Sequence, residues 1–192
     1  MMMVYVYLLF SWITYYVFHS LLATDKAKEI AFGLIGNRNT WRVIYSLFST
    51  IGLIFLLFFM ATIPEDTLWP QSSIVKLTSL ICITYGLIII KLSFKDQSVW
   101  RFLTEEDRYE KDNLRTTGIY AKVRHPLYSG TLLIFTGLFL FIPKISTAIA
   151  LVITILYLIF GVILEEKKLT SKYGKVYEDY KKQVAAIIPR LL

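Results

Sequence analysis

The sequence predicts an all-α integral membrane protein. About five transmembrane helices are expected, with a tight hairpin between the fourth and fifth and an amphipathic cytoplasmic helix at the C-terminal end. Three observations carry this. Of 192 residues, 56% are hydrophobic and only 18% charged, whereas soluble domains average about 45–50% and about 25%. Five segments approach the roughly 20 apolar residues that a helix needs to cross the hydrocarbon core. Nineteen of the 21 lysines and arginines fall on one side of the resulting topology.

The first segment covers residues 1–24, with no Asp, Glu, Lys or Arg before its end. It lacks the basic start and small-residue cleavage site of a secretory signal, so it reads as a retained span. The second is uncharged over residues 43–63. The third has a short uncharged centre, residues 77–90, between Lys76 and Lys91, whose side chains can snorkel to the two interfaces. The fourth covers residues 126–143 and the fifth residues 145–164. Only Pro143 and Lys144 separate their apolar runs, which makes them a hairpin. The chain reads as one membrane domain, with a three-span region over residues 1–113 and a second region over 114–192.

Basic residues concentrate in the connections 25–42 and 91–124 and in the tail after Leu164, leaving only Lys76 and Lys144 opposite. By the positive-inside rule the amino terminus faces away from the cytoplasm, and the larger connections and the tail face into it. The net charge of +7 then points to anionic lipid rather than to nucleic acid. One cysteine, Cys82, excludes an internal disulfide. With only two histidines beside it, a His/Cys metal site is not expected. No Walker loop, GxGxxG, GxSxG or HExxH occurs. No obligate protein partner is expected. The run 101–112 reads as a solvated surface helix.

Chemistry-bearing residues gather at the cytoplasmic side. In Gly118-Ile-Tyr-Ala-Lys-Val-Arg-His-Pro-Leu-Tyr-Ser-Gly130, the residue before proline is pushed out of the helical region, and proline suits a first helical turn. The fourth span should therefore start at Pro126 with His125 at its cap. Its free amides, beside Arg124, would form an anion site. The plain alternative is an interfacial helix start, with Arg124 on lipid phosphate and Tyr128 in the aromatic belt. Farther on, Glu165 and Glu166 sit where the fifth span leaves the membrane, a costly place for carboxylates. Leu169, Tyr173, Tyr177, Tyr180 and Val184 then recur at three- and four-residue spacing, one apolar face of a helix that Gly174 could divide. The plain reading pairs the glutamates with Lys168 or Lys172. In the amino-terminal half, His19 and Arg42 lie near the same interface. A backbone contact and a headgroup anchor are their plain roles, and contact with a substrate is the functional one.

Taken in order, Gly118-x-Tyr120, Arg124-His-Pro-x-Tyr128, Gly130, Glu165-Glu166, Tyr173-Gly174, Tyr177, Tyr180 and Pro189 resemble the isoprenylcysteine carboxyl methyltransferase family and its phospholipid methyltransferase relatives. Those are membrane enzymes that use S-adenosylmethionine. The resemblance covers about residues 114–192. Phe18-His-Ser-Leu-Leu-Ala23 and Trp41-Arg-Val-Ile-Tyr45 look more like the NnrU and methanethiol S-methyltransferase branch. The resemblance implies a cofactor between the His-Pro helix start and the Glu-Glu exit. By position, Tyr120, Arg124, His125, Pro126, Tyr128, Glu165 and Glu166 would line it, and Tyr177 and Tyr180 would close it. His125 and Glu165 are the catalytic candidates, with His19 a third possible base and His19 and Arg42 candidates for the acceptor. The acceptor would be lipophilic, or a small thiol or carboxylate, arriving from the bilayer. Prenylcysteine enzymes usually carry an arginine shortly before the paired glutamates. Here Tyr157-Leu-Ile-Phe-Gly-Val-Ile-Leu164 is uncharged, which favours a neutral acceptor or a thiol.

Two other readings compete. Sterol-type reductases share a His-Pro…Tyr-Gly…Tyr pattern but bind NADPH, whose phosphates Glu165 and Glu166 would repel. A non-enzymatic membrane scaffold would not need its motifs clustered at one interface.

Overall fold

Helix-forming apolar runs, broken by Gly, Pro and capping residues, give eight helical elements among the residues described by the computed structural model, 2–94 and 114–189. They are α1 (Met2–Leu22), α2 (Asp25–Ile35), α3 (Arg38–Thr62), α4 (Ser73–Ser93), a 3-10 turn (Gly118–Ala121), α5 (Pro126–Phe141), α6 (Ile145–Tyr173) and α7 (Lys175–Gln183). The surface helix expected over 101–112 lies outside the described residues.

Four helices are long and apolar enough to cross a membrane: Met2–Leu22, Thr40–Thr62, Ser73–Ser93 and Ile145–Tyr173. Their outward faces are built of large apolar side chains, among them Phe10, Ile51, Phe58, Ile81, Phe160 and Leu164. Such a surface is stable only where the solvent is itself hydrocarbon. The protein is a multi-pass membrane protein. The fifth apolar helix, α5, has 16 residues, about 24 Å of rise against a hydrocarbon core of about 30 Å. The expected hairpin is present: α5 ends at Phe141 and α6 begins at Ile145. Its corner is tied by the Thr147 hydroxyl, which donates to the Ile142 carbonyl at 2.5 Å and accepts from the Lys144 amide at 3.1 Å.

The described residues form two compact units, 2–66 and 67–94 with 114–189. In the first, α1 packs on α3 around Leu8, Trp12, Leu56 and Met60. Gly52 gives Tyr15 room there, since a Cβ at that position would lie 3.1 Å from the Tyr15 ring. The helix α2 was not expected. Thr24 caps it, accepting from the Ala27 amide at 3.2 Å, and Gly36 ends it in the left-handed region at φ 73°.

The second unit is organised by the seam between α4 and α5. Ser79, Gly86 and Ser93 recur every seventh residue on α4, and Gly130 and Gly137 do so on α5; all five are buried. A Cβ on Gly130 would lie 2.6 Å from Ile90 Cγ1 and 2.7 Å from the Gly86 carbonyl oxygen. One on Gly137 would lie 2.8 Å from the Ser79 carbonyl oxygen. The backbones thus meet directly, as small residues allow in membranes, where close packing rather than water drives helix association. The Leu68 backbone amide donates a hydrogen bond of 2.7 Å to the Pro143 carbonyl, and the Gln71 side-chain amide one of 3.0 Å to the Leu140 carbonyl.

Candidate active site

Pro126 starts α5 at its first helical position, and His125 stands at the cap with φ −120° and ψ 68°. This is the non-helical backbone that the His-Pro pair predicts. At the other side of the hairpin, Gly174 at φ 53° ends α6 and turns the chain into α7. The division of the tyrosine-bearing face is therefore real, and it folds Tyr177 and Tyr180 back, both buried.

These three local events converge on one cluster. His125 is buried, its side chain 2% exposed, with Nδ1 3.3 Å from Glu165 and Nε2 3.3 Å from Glu166. Only a ring protonated on both nitrogens can donate to both carboxylates at once. Tyr128, one turn into α5, stacks on His125 with ring centres 5.5 Å apart and planes at 15°. The Tyr128 hydroxyl bonds Glu165. It rests against Gly161, where a Cβ would stand 3.2 Å from that oxygen.

The second carboxylate is held more tightly. Arg124 donates to Glu166 Oε1 from both Nε and Nη2, and Lys181 reaches Oε2 at 3.2 Å. The remaining Arg124 nitrogen, Nη1, donates to the carbonyls of Lys181 and Val184, closing the end of α7. The chain beyond α7 then runs beside the approach to α5. Ala185 accepts from the Arg124 amide at 2.9 Å, Ala186 from the His125 amide at 2.9 Å, and Ile187 from the Ser129 hydroxyl at 2.6 Å. The cationic side of the expected anion site is thus met by the chain's own carboxylate and carbonyls. Arg124 serves as a brace.

Tyr120 is joined to the same corner. Its carbonyl accepts from the Tyr180 hydroxyl at 2.5 Å, and its own hydroxyl reaches the Ser93 carbonyl at 3.4 Å. Tyr177 differs. Its side chain is fully buried, and its hydroxyl makes no well-formed hydrogen bond, with the Arg124 guanidinium its polar neighbour. Burial, with the Glu166 charge close by, pushes the Tyr177 phenol up to about 12. Burial likewise pushes Tyr180 up to about 12. Both are neutral phenols at ordinary pH.

The structure thus brings together Tyr120, Arg124, His125, Pro126, Tyr128, Glu165, Glu166, Tyr177 and Tyr180. His19 and Arg42 belong to the other unit. His19 lies between Tyr15 and Tyr45, with Nδ1 3.0 Å from the Ser49 hydroxyl. Arg42 is half-buried on α3. Glu166 takes Arg124 and Lys181. Sequence reasoning missed Lys181 and the strap of residues 184–187, which runs beside 123–125 through an isolated bridge between Val123 and Ala185. The strap works through backbone carbonyls, which leave no mark on residue type. Among the described residues, no three His, Cys, Asp or Glu side chains converge to hold a metal ion.

A family profile described as phospholipid methyltransferase matches residues 75–176. The chain is 30% identical to a methanethiol S-methyltransferase of Crocosphaera subtropica over 184 residues, 89% of this chain and 69% of that protein. It is 36% identical to a methanethiol S-methyltransferase of a Pseudomonas species over 83 residues, 42% of this chain and 30% of the relative. A protein-S-isoprenylcysteine O-methyltransferase of Dictyostelium discoideum is 31% identical over 120 residues, 57% of this chain and 47% of that protein. No solved structure matches the chain.

Proposed function

We propose, for a chain that belongs to the phospholipid methyltransferase family and is an integral-membrane methyltransferase, that its methyl donor is S-adenosylmethionine. The donor binds beside the start of α5 and the polar end of α6, on the cytoplasmic face. The acceptor is a small or lipophilic thiol that arrives through the bilayer.

One observation carries this reading. The fully buried Tyr177 hydroxyl stands without a well-formed hydrogen bond near Arg124 and Glu166, the carboxylate that with Glu165 flanks His125. An orphaned buried hydroxyl costs about 1–3 kcal/mol, a cost that a polar ligand atom removes. The residues present fit the donor. Glu165, its side chain 46% exposed, retains acceptor capacity for an ammonium or ribose hydroxyls. The faces of Tyr128, Tyr177 and Tyr180 suit an adenine ring and a sulfonium. When bound, S-adenosylmethionine supplies a methyl group activated on positive sulfur.

The chain's own groups do the rest. The α5–α6 hairpin and the Arg124 brace hold the carboxylates in fixed register, so that alignment and exclusion of water lower the barrier. A thiol acceptor must lose its proton, because the thiolate is the nucleophile. Glu165 is partly exposed and faces His125, so the proton can pass to the Glu165 carboxylate and on to water. The uncharged stretch 157–164 offers no cation for a carboxylate acceptor, which favours a thiol. The name of the Crocosphaera relative favours the same class.

Calorimetric titration of detergent-purified protein with S-adenosylhomocysteine, with NADPH in parallel, tests the donor. Binding of the nucleoside that Glu165→Gln weakens is expected. Binding of NADPH alone, or of neither ligand by folded protein, would overturn the reading.

A further inference from the structure

Glu166 presents two faces. Its Oε1 meets Arg124 and His125, and its Oε2 meets Lys181. Glu166 and Lys181 also line an open groove of about 560 Å³ in the second unit, together with Ile163, Lys167, Thr170 and Ser171. The lining has a gradient of character. Ile163, 58% exposed, belongs to the last apolar turn of α6, next to the outward-facing Leu164. Lys167, Thr170 and Ser171 follow on the same helix. At 1.5 Å per residue, Lys167 stands about 6 Å and Ser171 about 12 Å beyond Ile163. That rise carries α6 through the headgroup layer, about 5–8 Å thick on each side.

The charge of this groove is positive. The single negative charge of Glu166 is met by both Arg124 and Lys181. Lys167 adds a further cation to the lining. Two ammonium groups and two hydroxyls at one end, with an aliphatic side chain at the other, match a phosphate attached to a hydrocarbon chain.

We infer that this groove binds the phosphate headgroup of an anionic membrane lipid as a bound companion of the enzyme. The phosphate meets Lys167 and Lys181, Thr170 and Ser171 donate to its ester oxygens, and an acyl chain leaves past Ile163. The lipid is distinct from the methyl acceptor: the site asks for negative charge, and no thiol or amine is needed to fill it. Its phosphate would share Lys181 with Glu166, so an occupied groove would loosen one of the two cations that hold that carboxylate. The inference does not depend on the identity of the methyl donor.

Native mass spectrometry of the full chain in neutral detergent tests it, with dioleoyl phosphatidylglycerol, dioleoyl phosphatidylcholine and inorganic phosphate as probes. One phosphatidylglycerol should stay bound in preference to phosphatidylcholine. Lys167→Gln, an exposed substitution that leaves the Glu166 pairs in place, should weaken it by about fivefold, the contribution of one cation near an anionic headgroup. Lys175→Gln, exposed on α7 and outside the groove, should leave it unchanged. Equal losses in the two variants would mean diffuse attraction and would overturn the site. Equal retention of phosphatidylcholine would also overturn it. Displacement of the lipid by millimolar inorganic phosphate would overturn the lipid assignment in favour of a soluble phosphate. Titration of S-adenosylhomocysteine into the same Lys167→Gln protein keeps a failure here distinct from a failure of the donor assignment.

Discussion

The Arg124 guanidinium closes on the Glu166 carboxylate through two of its nitrogens, and the third closes the end of α7. The side chains are 9% and 16% exposed, so this is a part-buried pair rather than a surface one. Removing Arg124 leaves Glu166 with Lys181 and His125, so the loss is that of charge-assisted hydrogen bonds, about 1.5–3 kcal/mol. Arg124→Ala should lower the thermal midpoint in detergent by more than any single substitution among the exposed lysines of α7. Arg124→Lys should recover little, since an ammonium cannot reproduce the fork. The double variant with Glu166→Ala should lose less than the sum of the singles.

Gly161 bears on the chemistry through Tyr128. An added Cβ would stand 3.2 Å from the Tyr128 hydroxyl and 3.4 Å from its ring. Alanine favours a helix by about 1 kcal/mol over glycine, so Gly161→Ala should not unfold α6. It should instead push Tyr128 off Glu165 and off its stack with His125. We expect methyl transfer to fall by about tenfold, a barrier change of about 1.4 kcal/mol, with the melting temperature held. Unchanged turnover would show that the Tyr128 position is not used.

Tyr177→Phe separates a ligand contact from a packing residue. Without a ligand, the change removes a buried hydroxyl that makes no well-formed hydrogen bond, so stability should hold or rise by about 1 kcal/mol. With S-adenosylhomocysteine, affinity should fall by about five- to tenfold, the net worth of a typical hydrogen bond. The pH dependence follows from the same burial. Tyr177 and Tyr180 stay protonated up to about 12 in the folded chain, whereas a free phenol ionises near 10. The unfolded chain therefore binds fewer protons between those values. The stability from these two phenols is complete below about pH 10 and is lost as pH rises toward 12. An alkaline melting series should show that loss, and Tyr177→Phe should reduce it.

The α4–α5 seam tolerates no added atom. Gly130→Ala would bring a methyl group to 2.6 Å from Ile90 and 2.7 Å from the Gly86 carbonyl, where backbone cannot yield. Overpacking of this kind costs about 1–3 kcal/mol. The variant should be extracted from membranes in lower yield and should melt earlier than Gly33→Ala, whose added Cβ meets nothing within 4 Å.

How far the residues announced these features depends on the kind of force involved. The start of α5 was legible at His125-Pro126 because proline restricts its own backbone and that of its neighbour. The break at Gly174 was legible for the same local reason. The paired glutamates were legible because carboxylates are rare where a span leaves the membrane. The helix α2 was not, since Asp25, Lys26, Lys28 and Glu29 make it read as a loop. Its Thr24 and Gly36 caps were the available signal. The carbonyls of Val184, Ala185, Ala186 and Ile187 that hold Arg124, His125 and Ser129 were beyond reach. Any residue has a carbonyl, and these partners lie about 60 positions away.

The shortness of α5 has a consequence for the surrounding bilayer. A helix of 16 residues falls about 6 Å short of the hydrocarbon thickness, and its flanks are pinned to α4 and α6, so it cannot lengthen its reach by straightening. The lipid must adapt, and each ångström of mismatch costs a fraction of a kcal/mol. In a laterally mixed membrane the protein should collect where acyl chains are short and sterol is scarce. Bilayer thickness thereby becomes a determinant of where this methyltransferase works.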